Sequence, residues 1–179
     1  MIILSLDYSY SKTGWAVTNL NMQQSKIDLI NCGLLVSPKD MEFINRVNSH
    51  IEDIEDIIHK YDPDIIVKES AIMGRASTGI PVIKAHGVLE QYNYEHFHLD
   101  MQEIHNQTIK AWARKFLLDN DILSKEDIKQ SDKKVVVANA VESYYSQIIF
   151  EMYTRRGRLI DDVSDAIAIG IIYCEKYLE

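Results

Sequence analysis

A mixed α/β sheet layered by helices is the fold class this sequence predicts, and three observations predict it. Residues 1–37 hold three strand-type runs joined by short turns, the pattern of an antiparallel meander. Beyond them, short apolar runs alternate with long segments of helical period, as in α/β crossovers. Residues 161–172 read Asp-Asp-Val-Ser-Asp and then run almost wholly apolar, as a helix buried around most of its circumference does.

Taken in order, residues 1–6 form an apolar strand with Asp7 at its exit. A hydroxyl-rich turn, Tyr8-Ser9-Tyr10-Ser11-Lys12-Thr13-Gly14, leads to strands at 15–20 and 26–37. Pro38 is expected to open a helix through Tyr61, because Met41, Ile44, Val47, Ile51, Ile54, Ile57 and Ile58 recur at steps of three and four. Asp62-Pro63 ends it, since a proline disfavours helix in the residue before it. Residues 65–67 form a buried strand leaving at Lys68-Glu69. A loop over 70–79 precedes a helix at 80–96 and a strand at 98–104. Asn106 is expected to cap a helix through Leu118, residues 119–131 to be a charged connector, and 132–147 to be helical. Arg155-Arg156-Gly157-Arg158 is a basic turn before the last helix. The prediction is a five-stranded mixed sheet with helices on both faces.

The composition narrows the function. A chain of 179 residues fits one domain, residues 1–179, and seven Gly and three Pro exclude collagen-like or disordered structure. No apolar run approaches the ~18–20 residues of a membrane span, and residues 1–7 lack signal-peptide features. Cys32 and Cys174 stand alone without metal-ligand spacing, which points to a reducing cytoplasm. A net charge of −8 disfavours a polyanionic partner. Residues 105–158 nevertheless carry ten Lys/Arg against seven Asp/Glu, a basic segment in an acidic chain.

Asp162 and Asp165 share a helix face at i, i+3, and Asp161 reaches Asp165 at i, i+4. Like charges so placed cost an isolated helix about 0.2–0.5 kcal/mol per pair. Helix capping and the dipole account for Asp161 or Asp162. They do not account for Asp165, which heads the buried stretch. Singly, Asp7 reads as a turn-capping acid and Glu69 as the partner of a neighbouring lysine. If the first and fourth strands are parallel neighbours, however, Asp7 and Glu69 leave the sheet on one edge, and the last helix packed there brings four carboxylates together. All-oxygen sets of this kind suit Mg²⁺ or Mn²⁺ rather than zinc. Two such ions support phosphodiester hydrolysis.

The segments Leu4-Ser5-Leu6-Asp7-Tyr8-Ser9-Tyr10-Ser11-Lys12-Thr13-Gly14-Trp15, Ile65-Ile66-Val67-Lys68-Glu69 and Asp162-Val163-Ser164-Asp165-Ala166-Ile167-Ala168 together resemble the RuvC family of Holliday junction resolvases, which have the ribonuclease H-like fold. The resemblance implies that Asp7, Glu69, Asp162 and Asp165 are catalytic metal ligands for two Mg²⁺ ions, with Mn²⁺ substituting. It implies a homodimer that makes paired nicks in four-way DNA junctions, leaving 5′-phosphate and 3′-hydroxyl ends. Lys110 resembles the family's first DNA-contacting lysine, and Lys133 or Lys134 the second. Arg114 shares the helix face of Lys110, and Tyr8 and Ser9 in the turn are further candidates for DNA contact. The helix at 80–96, through Ile80, Ile83, Val88, Leu89 and Tyr92, is the candidate dimer face. Three departures suggest a divergent, phage-type member: Tyr8-Ser9-Tyr10 replaces a Gly-rich turn, Ile72 stands where bacterial members carry an aromatic, and 119–131 resembles an insertion. Two alternatives accompany this reading. One is a ribonuclease H-like nuclease for flaps or RNA/DNA hybrids; the other is an actin/sugar-kinase-type ATP-binding domain, whose phosphate hairpin also runs strand, Asp, hydroxyl-rich turn, Gly, strand.

Overall fold

The computed structural model describes residues 1–71 and 76–178. Strands β1 (Ile2–Asp7), β2 (Lys12–Asn21), β3 (Lys26–Val36), β4 (Ile65–Glu69) and β5 (Asp100–Ile104) form one sheet in the order β3-β2-β1-β4-β5. The first three are antiparallel, as the short turns between them require. β4 and β5 join in parallel, which the intervening helical crossovers allow. The fold is the five-stranded mixed sheet that the sequence predicts.

Side-chain alternation along the central strands splits the core in two. Ile3, Ile65 and Val67 face a layer built by α3 (Asn106–Asp119), α5 (Lys133–Tyr145) and α6 (Asp161–Leu178). Leu4, Leu6 and Ile66 face α1 (Phe43–Tyr61) and α2 (Ala76–His96). α6 lies close against the sheet: a β-carbon built on Gly170 would stand 3.0 Å from Ser5 Oγ and 3.1 Å from Thr18 Oγ1.

Several boundaries differ from expectation. α1 begins at Phe43 rather than Pro38, because residues 38–41 form a turn closed by Met41 N donating to Pro38 O at 3.4 Å. Ser37 is tied back to the turn after β1, its Oγ donating to Tyr10 O at 2.9 Å, so the chain must clear the sheet before it coils. α1 ends as predicted, on Asp62 in the left-handed region with Pro63 behind it. α2 starts at Ala76, four residues early, and accommodates Pro81 in its second turn. Asn106 does not cap α3; His105 holds that position, and Asn106 Oδ1 accepts from Lys110 Nζ. The expected connector contains a short helix, α4 (Lys125–Gln130), started by a capping box in which Ser124 and Asp127 bond each other's backbone. A 3₁₀ turn at Phe150–Met152, unforeseen, precedes the basic turn. No helix among the described residues is long and apolar enough to cross a membrane.

Candidate active site at the β1, β4 and α6 junction

β1 and β4 run side by side with Leu6 opposite Lys68, so the next residues, Asp7 and Glu69, leave the sheet together. Both point to the α6 face, by the alternation that sets Ser5 against Gly170. Across β1, Asp7 pairs with Gly14. A β-carbon on Gly14 would fall 1.8 Å from the Asp162 carbonyl oxygen, so its absence is what lets the first turn of α6 approach. Asp162 and Asp165 are thereby delivered to Asp7.

The four acids act on one another. Burial, foremost, and then the charge and hydrogen bond of Glu69 and the charges of Asp165 and Asp162, hold the Asp7 carboxyl well above the ordinary aspartate range. A hydrogen bond between two carboxyls requires that one of them keep its proton. Asp165 is pushed up to about 7, by burial first and then by Glu69 and Asp161. Asp162 is raised by burial and by Asp161, with Lys12 and Lys134 opposing. Among the described residues, Lys134 makes the one ion pair with an acid of this stretch, 2.5 Å to Asp161. Asp161 is thus engaged outward, and Asp162 and Asp165 are the α6 acids that act on Asp7.

A raised carboxylate pKa has a sign in stability. Between its unfolded value and about 7, Asp165 binds more protons folded than unfolded, so its contribution is present at low pH and lost as pH rises through about 7. In EDTA, the melting temperature is expected to fall between pH 5 and pH 8, and more shallowly in Asp165→Asn. Scanning calorimetry across that range checks this; equal slopes in the two proteins would refute it.

The donor set fits a hard divalent cation. It is all oxygen, partly buried and self-repelling, and among the described residues no lysine or arginine forms an ion pair with Asp7, Glu69, Asp162 or Asp165. A cavity of about 220 Å³ lies beside it, lined by Asp7, Tyr8, Glu69, Ser70, Val82 and His86.

The remaining candidates divide. Lys110 is half-buried and close enough for its charge to act on Asp165. Arg114, Lys133 and Lys134 are exposed, and Lys134 is the one of the lysine pair that reaches the acids. Tyr8 is 3% exposed, its ring edge-on to His86, so it offers no face for stacking on a base. That corrects its reading as a DNA contact: at the strand exit its side chain alternates into the α1/α2 core. Ser9 Oγ is spent inside the turn, donating to Lys12 O at 2.6 Å. On α2, Ile80 and Ile83 are exposed, whereas Leu89 is buried and Val88 and Tyr92 pack against the core, so only the first two belong to a free face. Ile72 lies outside the described residues. Sequence reasoning missed Lys68, 1% exposed, and the histidines His50 and His86, both buried. The signal for Lys68 was present: in a strand whose neighbours are buried on both faces, it must point inward.

No protein-family model matches the chain. Among curated proteins, the crossover junction endodeoxyribonuclease RuvC of Prochlorococcus marinus is 32% identical over 89 residues, 50% of this chain and 55% of that protein. The enzyme of the same name from Natranaerobius thermophilus is 21% identical over 178 residues, 99% of this chain and 96% of that one. The chain spans about half the length of most curated relatives it matches. Of solved structures, Thermus thermophilus RuvC in complex with a Holliday junction substrate superposes with a TM-score of 0.71 at 14% identity, covering 99% of this chain and 98% of that one. The yeast mitochondrial Holliday junction resolvase gives 0.64 at 14% identity over 98% and 84% of the two chains. The Fowlpox virus resolvase gives 0.56 at 15% identity over 98% and 99%. The fold is that of the RuvC-type resolvases.

Proposed function

We propose that this chain is a divergent RuvC-type Holliday junction resolvase, a single nuclease domain that nicks four-way DNA junctions in the cytoplasm. The observation that carries the proposal is the convergence of Asp7, Glu69, Asp162 and Asp165 from three elements distant in sequence, at mutual electrostatic cost. Such repulsion is relieved by cations, and the RuvC-type fold supplies the setting. Asp7, Glu69, Asp162 and Asp165 would hold two Mg²⁺ ions, with Mn²⁺ substituting; Asp7 is central because Glu69 and both α6 acids act on it. When bound at these four carboxylates, such ions would lower the pKa of water at neutral pH and offset charge on the leaving oxygen.

The chain's own groups do the rest. The fixed carboxylates form no covalent bond to the scissile phosphate: water adds to phosphorus as the P–O3′ bond breaks, and the 3′ oxygen leaves and takes up a proton, giving 5′-phosphate and 3′-hydroxyl ends. Lys110 and Lys134 beside the acids, with the exposed Arg114 and Lys133, bring positive charge to the phosphate backbone. A four-way junction has near two-fold symmetry, and paired nicks call for a two-fold homodimer. The exposed Ile80 and Ile83 of α2 support that face as the contact.

The test is a panel of labelled four-way junction, flap, RNA/DNA hybrid and linear duplex with Mg²⁺. Paired, symmetric nicks confined to the junction are expected. Preference for flaps or hybrids would assign the same site to another nuclease activity, and inertness on all four would overturn the proposal.

A further inference from the structure

Two buried histidines reach the two carbonyls that follow Asp7, one from each helix on the opposite face of the sheet. His86 of α2 places Nε2 3.1 Å from the Tyr8 carbonyl oxygen. His50 of α1 places Nδ1 2.9 Å from the Ser9 carbonyl oxygen. A carbonyl only accepts, so each of these bonds takes an imidazole N–H at that nitrogen, and His50 Nδ1 lies also 3.0 Å from Thr13 Oγ1. His86 then leaves Nδ1 as an acceptor, and Lys68 Nζ donates to it at 3.1 Å.

Lys68 stands in β4 immediately before Glu69, pointing to the other face. Its ammonium also bonds Glu90 at 3.0 Å and Glu103. His86, Glu90 and Glu103 bring ligand atoms within 4.8 Å of one another, an arrangement suited to a metal ion, but the lysine bonds all three and fills that place with an internal cation. Burying an ammonium costs several kcal/mol that its partners must offset, and an apolar residue of the same volume would pack as well. The structure therefore points to what the lysine orders rather than to stability. It orders residues 8–11 between β1 and β2, which include no glycine, and there Ser9 O also accepts from Thr13 Oγ1 at 2.8 Å.

We propose that Lys68, His86 and His50 are positioning residues, which clasp the Tyr8–Ser9 backbone and so hold Asp7 against Glu69 for the cations of the active site. Lys68 and Glu69 are consecutive. Tying Lys68 through His86 to Tyr8 O fixes the exit of β4 to the exit of β1, and the two carboxylates with them. The inference rests on the nuclease reading of the site.

The test uses the full chain and the variants Lys68→Met, His86→Leu and His86→Gln. Titration calorimetry with Mn²⁺ on the free protein, kcat and KM on a four-way junction, and amide exchange at residues 9–12 are measured. Lys68→Met and His86→Leu are expected to weaken Mn²⁺ binding and lower kcat roughly ten-fold, as loss of groups that orient metal ligands does. KM stays unchanged, and turn amides exchange faster. His86→Gln, whose amide can still donate to Tyr8 O, is expected to recover most of the loss. A folded Lys68→Met with wild-type Mn²⁺ affinity, kcat and exchange overturns the inference, as does a His86→Gln no better than His86→Leu. If His86→Leu does not fold, Lys68→Met decides. A wild-type protein that binds no Mn²⁺ overturns the nuclease reading instead, and faster exchange in Lys68→Met then still reports the clasp.

Discussion

Asp7→Asn is expected to lower junction cleavage at least about a thousand-fold, ~4 kcal/mol of transition-state stabilisation, while raising the melting temperature of the metal-free protein. Both effects have one cause. Asp7 is held against Glu69, Asp165 and Asp162 in a site that disfavours charge. Asn keeps the size and hydrogen bonding of the side chain and removes the charge that the proposed cations require. Without metal the same change relieves desolvation and repulsion. If that relief is about 1–2 kcal/mol, it raises the melting temperature of a chain this size by about 2–8 °C. Functional sites commonly carry such a stability cost. Single-turnover cleavage of a labelled junction and calorimetry in EDTA measure the two effects. Added Mg²⁺ is expected to raise the wild-type melting temperature and to leave that of the variant nearly still. A variant that cleaves like wild type would remove Asp7 from the chemistry.

Gly14→Ala should be the most damaging small substitution outside the acids. The added carbon would stand 1.8 Å from Asp162 O, 2.2 Å from Asp162 C and 2.8 Å from Val163 N. All three are backbone atoms, so no rotamer change resolves the clash. Either β2 or the start of α6 must move by more than an ångström. Overpacking of this sort costs about 3 kcal/mol or more, and a displacement of about 1 Å at a reacting centre can cost about a hundred-fold in rate. Urea unfolding and cleavage rate should fall together, with Mn²⁺ binding weakened because Asp162 and Asp165 travel with the helix. Wild-type stability in Gly14→Ala would mean that α6 does not pack on β2 as described.

Much of this architecture is written locally. The three-and-four spacing from Val47 to Ile58 specifies α1 because 3.6 residues per turn sort those side chains onto one face, and all six positions that the structure buries there follow it or adjoin it. The short turns of residues 1–37 specify the meander, and Asp62-Pro63 the end of α1. Where local rules compete, the sequence reading slipped. Pro38 opens a turn because Ser37 is bonded to Tyr10 O, and residues 125–130 coil because a capping box outweighs their polarity.

The carboxylate cluster lies between these extremes. Asp7, Glu69, Asp162 and Asp165 were each visible as acids at the ends of apolar runs, where nothing local explains all of them. Their juxtaposition depended on a parallel β1–β4 pairing that the residues allow but do not require.

By itself, then, the sequence determined the period of each main element, the order β-β-β-α-β-α-β-α and the acids that end the strands. These follow from side-chain alternation and helical repeat, which depend on near neighbours. Only the tertiary structure decided that Lys68 would bond His86, Glu90 and Glu103, that Tyr8 would turn inward, and that His50 and His86 would grip consecutive carbonyls. Those contacts join residues from different helices and strands across two faces of a sheet. Their partners are set by strand register and helix packing, which no single stretch of the chain encodes.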